Sequence, residues 1–125
     1  MSFVELGTNL DDVKDKEVVP EGEYGLVIED AKYTVKEGKH NVNVRLSVEG
    51  MPMARSVFHN ISLPNAEDEA GKRETKLLFL KRFLEKFKIP FSGNGFNEED
   101  FPGKFAKCKL ILDEYNGQIN NKIKM

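Results

Sequence analysis

The side chains able to do covalent or metal chemistry are few: His40, His59, Cys108 and the acidic runs Glu67-Asp68-Glu69 and Glu98-Glu99-Asp100. Catalysis needs a nucleophile, an acid–base pair or a metal gathered in one pocket. His40 adjoins a turn and His59 falls inside a strand-like run, and neither has a partner at metal-ligand spacing. Carboxylates favour helix starts, and that explains both acidic runs without a cation. Cys108 alternates with Lys107 and Lys109, the inward position of a small buried hydrophobe. Ser92-Gly93-Asn94-Gly95 lacks the lysine and the strand–helix context of a phosphate cradle. No catalytic residue, metal or cofactor is expected, and the chain reads as a protein that is not an enzyme.

Non-covalent chemistry is better represented. Recognition of a flexible polyanion with flat bases needs cations along a groove and aromatic faces for stacking. With Val42 and Val44 pointing inward, Asn43 and Arg45 point outward. With Val57 and Ile61 inward, Phe58 points outward beside Asn60, an exposure that calls for a reason. Stacking is one reason; a reversed strand phase, or cover from the N-terminal arm, is the other. Lys32 and Lys36, Lys107 and Lys109, and Lys122 and Lys124 pair up on three further strand segments, with Arg55 just ahead of Phe58. Tyr33 and Tyr115 are secondary stacking residues. Taken singly, each lysine equally fits the protection of a sheet edge against unwanted pairing.

These residues must be positioned by strands. Glu23–Lys36 reads as a strand with Tyr24, Leu26 and Ile28 on one face, interrupted by a bulge at Glu29-Asp30. Glu37-Gly38-Lys39 is a turn. Asn41–Glu49 follows, with Val42, Val44, Leu46 and Val48 inward, and Met53–Leu63 is a third strand. From Arg73 to Lys88 the period changes to that of a helix: Leu77, Leu80, Leu84 and Phe87 recur, widened by Leu78 and Phe83, and Phe79, Phe83 and Phe87 are assigned to the core. Phe91, Phe96 and Phe101 are expected to pack loops against the body. Asn97 is expected to cap a very short helix. Phe105–Asp113, with Ala106, Cys108, Leu110 and Leu112 on one face, and Gln118–Lys124 form a hairpin about Asn116-Gly117. Five short strands with one α-helix between strands 3 and 4 is the order of the OB-fold Greek-key barrel, a mainly β architecture, although an α+β roll shares it. Residues 1–20 read as an acidic arm and residues 21–125 as the domain.

The chain has 125 residues and a net charge of −2, unevenly spread. Residues 1–23 hold seven acidic and two basic side chains, and residues 71–90 hold seven basic and two acidic. The body is too weakly basic for a typical duplex binder. One cysteine excludes an internal disulfide and fits a reducing, cytoplasmic compartment. No apolar run suffices for a transmembrane helix, and the first residues lack the pattern of a secretory signal.

Gly22-Glu23-Tyr24 leading to Ile28 and Ala31-Lys32, Val42–Val48 with Gly50, Arg55–Asn60, Leu77-Leu78-Phe79-Leu80-Lys81-Arg82-Phe83, Gly103-Lys104, and Tyr115-Asn116-Gly117 running to Asn121-Lys122-Ile123 together resemble a family of small phage-encoded single-stranded-DNA-binding proteins. The resemblance covers roughly residues 18–125. It implies an OB fold, coating of exposed single-stranded DNA in replication or recombination, replication or recombination proteins as partners, and DNA contact through outward strand residues: Lys32, Tyr33, Lys36, Arg45, Arg55, Phe58, Lys107, Lys109, Tyr115, Lys122 and Lys124. A homodimer is compatible with it; a membrane is not expected. Many such binders end in an acidic tail, whereas this sequence ends Lys122-Ile123-Lys124-Met125. The acidic head could substitute by competing for the cationic groove, in which case deleting residues 1–19 tightens binding. The alternative is a protein-interaction module on the same fold, in a replication accessory factor or a virion component.

Overall fold

Strict alternation builds the sheet. Val42, Val44, Leu46 and Val48 of one strand, Leu26 and Ile28 of the next, and Ala106, Cys108 and Leu110 of a third all turn inward and are buried. Full burial of each larger side chain contributes about 1.5–3 kcal/mol. The computed structural model describes residues 2–12, 15–93 and 95–125; Lys14 of the acidic arm and Asn94 of the Ser92–Gly95 loop lie outside the described residues. Among the described residues the order is β1 (Gly22–Lys36), β2 (Lys39–Val48), β3 (Val57–Ser62), α1 (Ala70–Lys86), β4 (Phe91–Ser92), β5 (Gly95–Phe96), β6 (Phe105–Tyr115) and β7 (Gln118–Ile123), with 3-10 turns at Leu10–Asp12 and Glu98–Asp100. The protein is mainly β. Its large sheet is five-stranded and antiparallel, in the order β3-β2-β1-β6-β7, and β4-β5 is a separate two-stranded ribbon.

β1 holds the sheet together because it is long enough to serve two neighbours. Leu26–Lys36 pairs with β2, and Gly22–Val27 pairs with β6. The register slips between Ile28 and Asp30, leaving Glu29 as the extra residue of a bulge at the expected place. Glu37 and Gly38 both have positive φ (52° and 75°), as do Asn116 and Gly117 (52° and 77°), the geometry of two-residue hairpin turns that follow the strand twist.

Helix α1 follows β3 and covers the inner face. Phe83 is its centre: it stacks on His59 of β3 at 5.1 Å between centroids and meets Phe87 at 4.6 Å and Phe101 at 5.9 Å. Asp68 secures the approach, bonding Lys76 at 2.9 Å and accepting from the Asn65 amide at 2.8 Å. That amide, and then Lys76, hold the Asp68 carboxyl below its ordinary pKa.

Several expectations are corrected. The helix begins at Ala70, not Arg73, and its buried stripe is narrower: Leu80, Phe83 and Leu84 are covered, with Phe87 beyond its end, whereas Leu77, Leu78 and Phe79 stay about half-exposed. One side of the helix packs on β3 and the core, and the rest faces outward. β3 starts at Val57 rather than Met53, and Ala54 instead forms an isolated parallel bridge with Glu17. Leu112 shares the parity of Leu110 but is exposed, because β1 stops opposite Leu110 and the hairpin overhangs it. Phe101 is buried and Phe96 partly so, but Phe91 is half-exposed. Asn97 precedes its short turn without a side-chain cap.

The two edge strands, β3 and β7, approach within 8 Å at Cα. The segment before β1 reaches both sides. Glu17 donates its amide to the Met53 carbonyl (3.0 Å) and accepts from the Arg55 amide (2.9 Å). Val19 is buried; its amide donates to Asn121 Oδ1 and its carbonyl accepts from Asn121 Nδ2, both at 2.8 Å.

Candidate nucleic-acid interface

Register sets the outward face of β1, β2 and β3. Phe58 lies beside Arg45, which lies beside Asp30; Asn60 lies beside Asn43, which lies beside Lys32. The strand phase is therefore the one in which Phe58 points out, and the residue is 67% exposed. Arg45 reaches Asp30 Oδ2 through Nε and Nη2, each at 3.2 Å. Both partners are about half-exposed, so this pair contributes little to stability and leaves the guanidinium free to be recruited by a stronger anion. A polar ladder extends the face: Asn43 donates to Thr34 (3.2 Å), and Asn60 and Ser62 donate to Asn41 Oδ1 (3.4 Å each).

Where the sheet curls round, β3 faces the β6–β7 hairpin across an open cleft of about 460 Å³. Phe58, His59 and Asn60 form one wall; Asp113, Tyr115, Asn120, Asn121 and Lys122 form the other. Tyr115 is 72% exposed at the hairpin tip. The cleft thus brings together two aromatic rings, a cation and a set of amides able both to donate and to accept. A line of lysines continues from it. Lys122 is paired with Ile111, and the next outward row holds Lys109 and Lys124, whose amide donates to the Lys109 carbonyl at 2.9 Å. Lys107 follows one row further, each row being about 7 Å from the last.

The remaining expected residues are placed differently. Lys32 is on the Asn43 row, near the cleft. Lys36 is opposite Lys39 at the far turn, away from it. Tyr33 is opposite Val42 and so has the other facial parity; its hydroxyl bonds His40 Nδ1, and its amide donates to Glu98 at 2.6 Å. The structure does not bring it to Phe58. Arg55 is half-buried, with Nε donating to the Lys16 carbonyl at 3.1 Å, so the arm already uses it. Asn120 and Asn121 were not among the expected site residues. The signal was there: two consecutive asparagines in a strand run against β-propensity.

His59 links the cleft to the core. Burial, and secondarily the Lys122 ammonium, lower its pKa below 6.5. The unfolded chain then takes up a proton before the folded one does. The stability that neutral His59 supports is complete above the unfolded pKa and is lost as pH falls through the lower folded value. Urea midpoints are expected to drop between pH 7 and pH 5.5, and His59→Phe, which keeps a ring against Phe83 but cannot ionise, is expected to flatten that slope. An unchanged slope would show that His59 titrates normally.

Among the described residues no cluster of three or more His, Cys, Asp or Glu side chains could hold a metal ion, and no helix is long and apolar enough to cross a membrane. Comparison of the chain with protein-family models and with curated proteins returns no match.

Proposed function

We propose that this protein binds single-stranded DNA with little sequence preference, coating exposed strands in phage-type replication or recombination, and that it catalyses nothing. One observation carries the reading: Phe58 and Tyr115 expose their rings on opposite walls of one open cleft, and Lys122 starts a line of lysines leading out of it. Aromatic faces serve any base, and cations serve any phosphate, so the combination suits a sequence-tolerant strand binder. In this reading the sheet is an OB fold. The strand order β3-β2-β1-β6-β7, the approach of β3 to β7 and the helix after β3 support that assignment.

The test is fluorescence anisotropy of a labelled oligothymidine of about thirty nucleotides, longer than the roughly 4–16 that one such fold covers, against a matching duplex. Binding to the single strand that weakens linearly in log salt, with little binding to the duplex, is the expected result. No binding to either by a folded sample would refute the reading. It would favour the second one, a protein-interaction module on the same fold, which the half-exposed Leu77, Leu78 and Phe79 support. Competition by the acidic arm is tested by deleting residues 2–12. Removing everything to residue 19 would also take the buried Val19 and its bonds to Asn121.

A further inference from the structure

Helix α1 presents a second surface, distinct from the cleft. Leu77, Leu78 and Phe79 are 45–46% exposed, as is Phe91 at 46%. Leu77 and Phe91, with Arg73 and Lys81, line an open groove of about 450 Å³ between the helix and the β4–β5 ribbon. Exposed apolar side chains lining a groove of this kind mark a contact site. Its charge is one-sided, since α1 carries six basic and two acidic side chains. Asp68 engages Lys72 and Lys76, while Arg73, Lys81, Arg82 and Lys86 make no ion pair with the described residues.

The complement is in the same sequence. Residues 2–12 contain Glu5, Asp11 and Asp12 and no basic side chain. Interleaved with them are Phe3, Val4, Leu6 and Leu10, 57–93% exposed. The two surfaces therefore match in both respects, apolar to apolar and acidic to basic. The base of the arm is held beside Met53 and Arg55, just before β3, whereas the groove begins at Leu63 and Pro64, just after it. The arm's apolar side chains stay uncovered by the rest of the same copy.

We infer that the acidic, apolar arm of one copy, residues 2–12, docks in the basic, apolar groove along α1 of a second copy. The contact joins two different patches, so two copies can close a dimer by exchanging arms or extend head-to-tail into short chains. It rests on these surfaces alone and holds whether or not the cleft binds a strand.

Sedimentation velocity of the full chain over a concentration series, at low and moderate salt, tests it. The average mass is expected to rise with concentration and to fall with salt. Glu5→Lys with Asp11→Lys (arm variant), and Arg73→Glu with Lys81→Glu (groove variant), are each expected to weaken association at least about tenfold. An equimolar mixture of the two variants is expected to regain it, because each then meets a groove or an arm of opposite charge. Association unchanged in both variants would overturn the inference by moving the interface elsewhere. A wild-type protein monomeric at every concentration would also overturn it. Amide signals of α1 that respond to the arm variant in that monomer would place the arm on its own helix.

Discussion

Phe58→Ala is expected to weaken oligothymidine binding by roughly 5- to 150-fold, the equivalent of about 1–3 kcal/mol for one stacked base. It is expected to leave folding intact, because a ring 67% exposed gives the core little and such substitutions cost within about 0.5 kcal/mol. Tyr115→Ala is expected to behave in the same way from the opposite wall. If the two rings stack on independent bases, the double variant loses about the product of the two effects. Tyr33→Ala is the internal control. It removes a ring of similar chemistry from the opposite facial parity, where it bonds His40, and is expected to leave affinity unchanged. Anisotropy titrations and a urea melt on each variant decide the matter. A folded Phe58→Ala protein with wild-type affinity, or a Tyr33→Ala protein with the larger loss, would exclude the cleft. Lys122→Gln separates the ionic part: it is expected to reduce the slope of log affinity against log salt by about one.

Phe83→Ala is expected to cost about 3–5 kcal/mol, a large share of the roughly 5–15 kcal/mol that separates folded from unfolded states. The ring has no solvent exposure, and His59, Phe87 and Phe101 pack round it. Truncation therefore opens a cavity where helix, sheet and loop meet, and the surrounding aromatics cannot all move in to fill it. Phe79→Ala, one turn earlier in the same helix, is expected to cost under about 1 kcal/mol, because the residue is half-exposed and the Arg82 guanidinium, 5.8 Å from its ring centroid, adds only a weak exposed contact. Urea midpoints of the two variants, measured side by side, check the contrast. Comparable losses would mean that the Phe79 side of α1 is packed in solution.

That contrast also shows where sequence reasoning stops. Phe79 and Phe83 are four residues apart in one apolar run, and composition treats them alike. What separates them is which side of the helix meets His59 of β3 and Phe101, a contact between distant elements that no local pattern records. Strand alternation was informative because it is local: it placed Val42, Val44, Leu46, Val57 and Ile61 inward, turned Phe58 out, and put the bulge at Glu29. It failed at Leu112 for the opposite reason, since parity assigns a face but not whether anything lies under it. The cleft was beyond reach of the same method. Phe58 and Tyr115 line one cleft only because β3 and β7 approach one another, a relation between distant elements. Arg55 shows a further limit: residue type marks it as a cation for phosphate, while a backbone carbonyl of the arm already occupies its Nε.

The paired bonds between Val19 and Asn121 span 102 residues of sequence. A ribosome releases Val19 long before Asn121. Through that interval the segment that will join the two rims of the sheet has only one of them to hold, through Glu17, Met53 and Arg55. Contacts of such long range require the loop entropy to be overcome before they return anything, which makes them late and slow. The cleft therefore matures in order: the wall that carries Tyr115 and Lys122 is made after the wall that carries Phe58, and a nascent chain can expose Phe58 well before it can enclose a ligand.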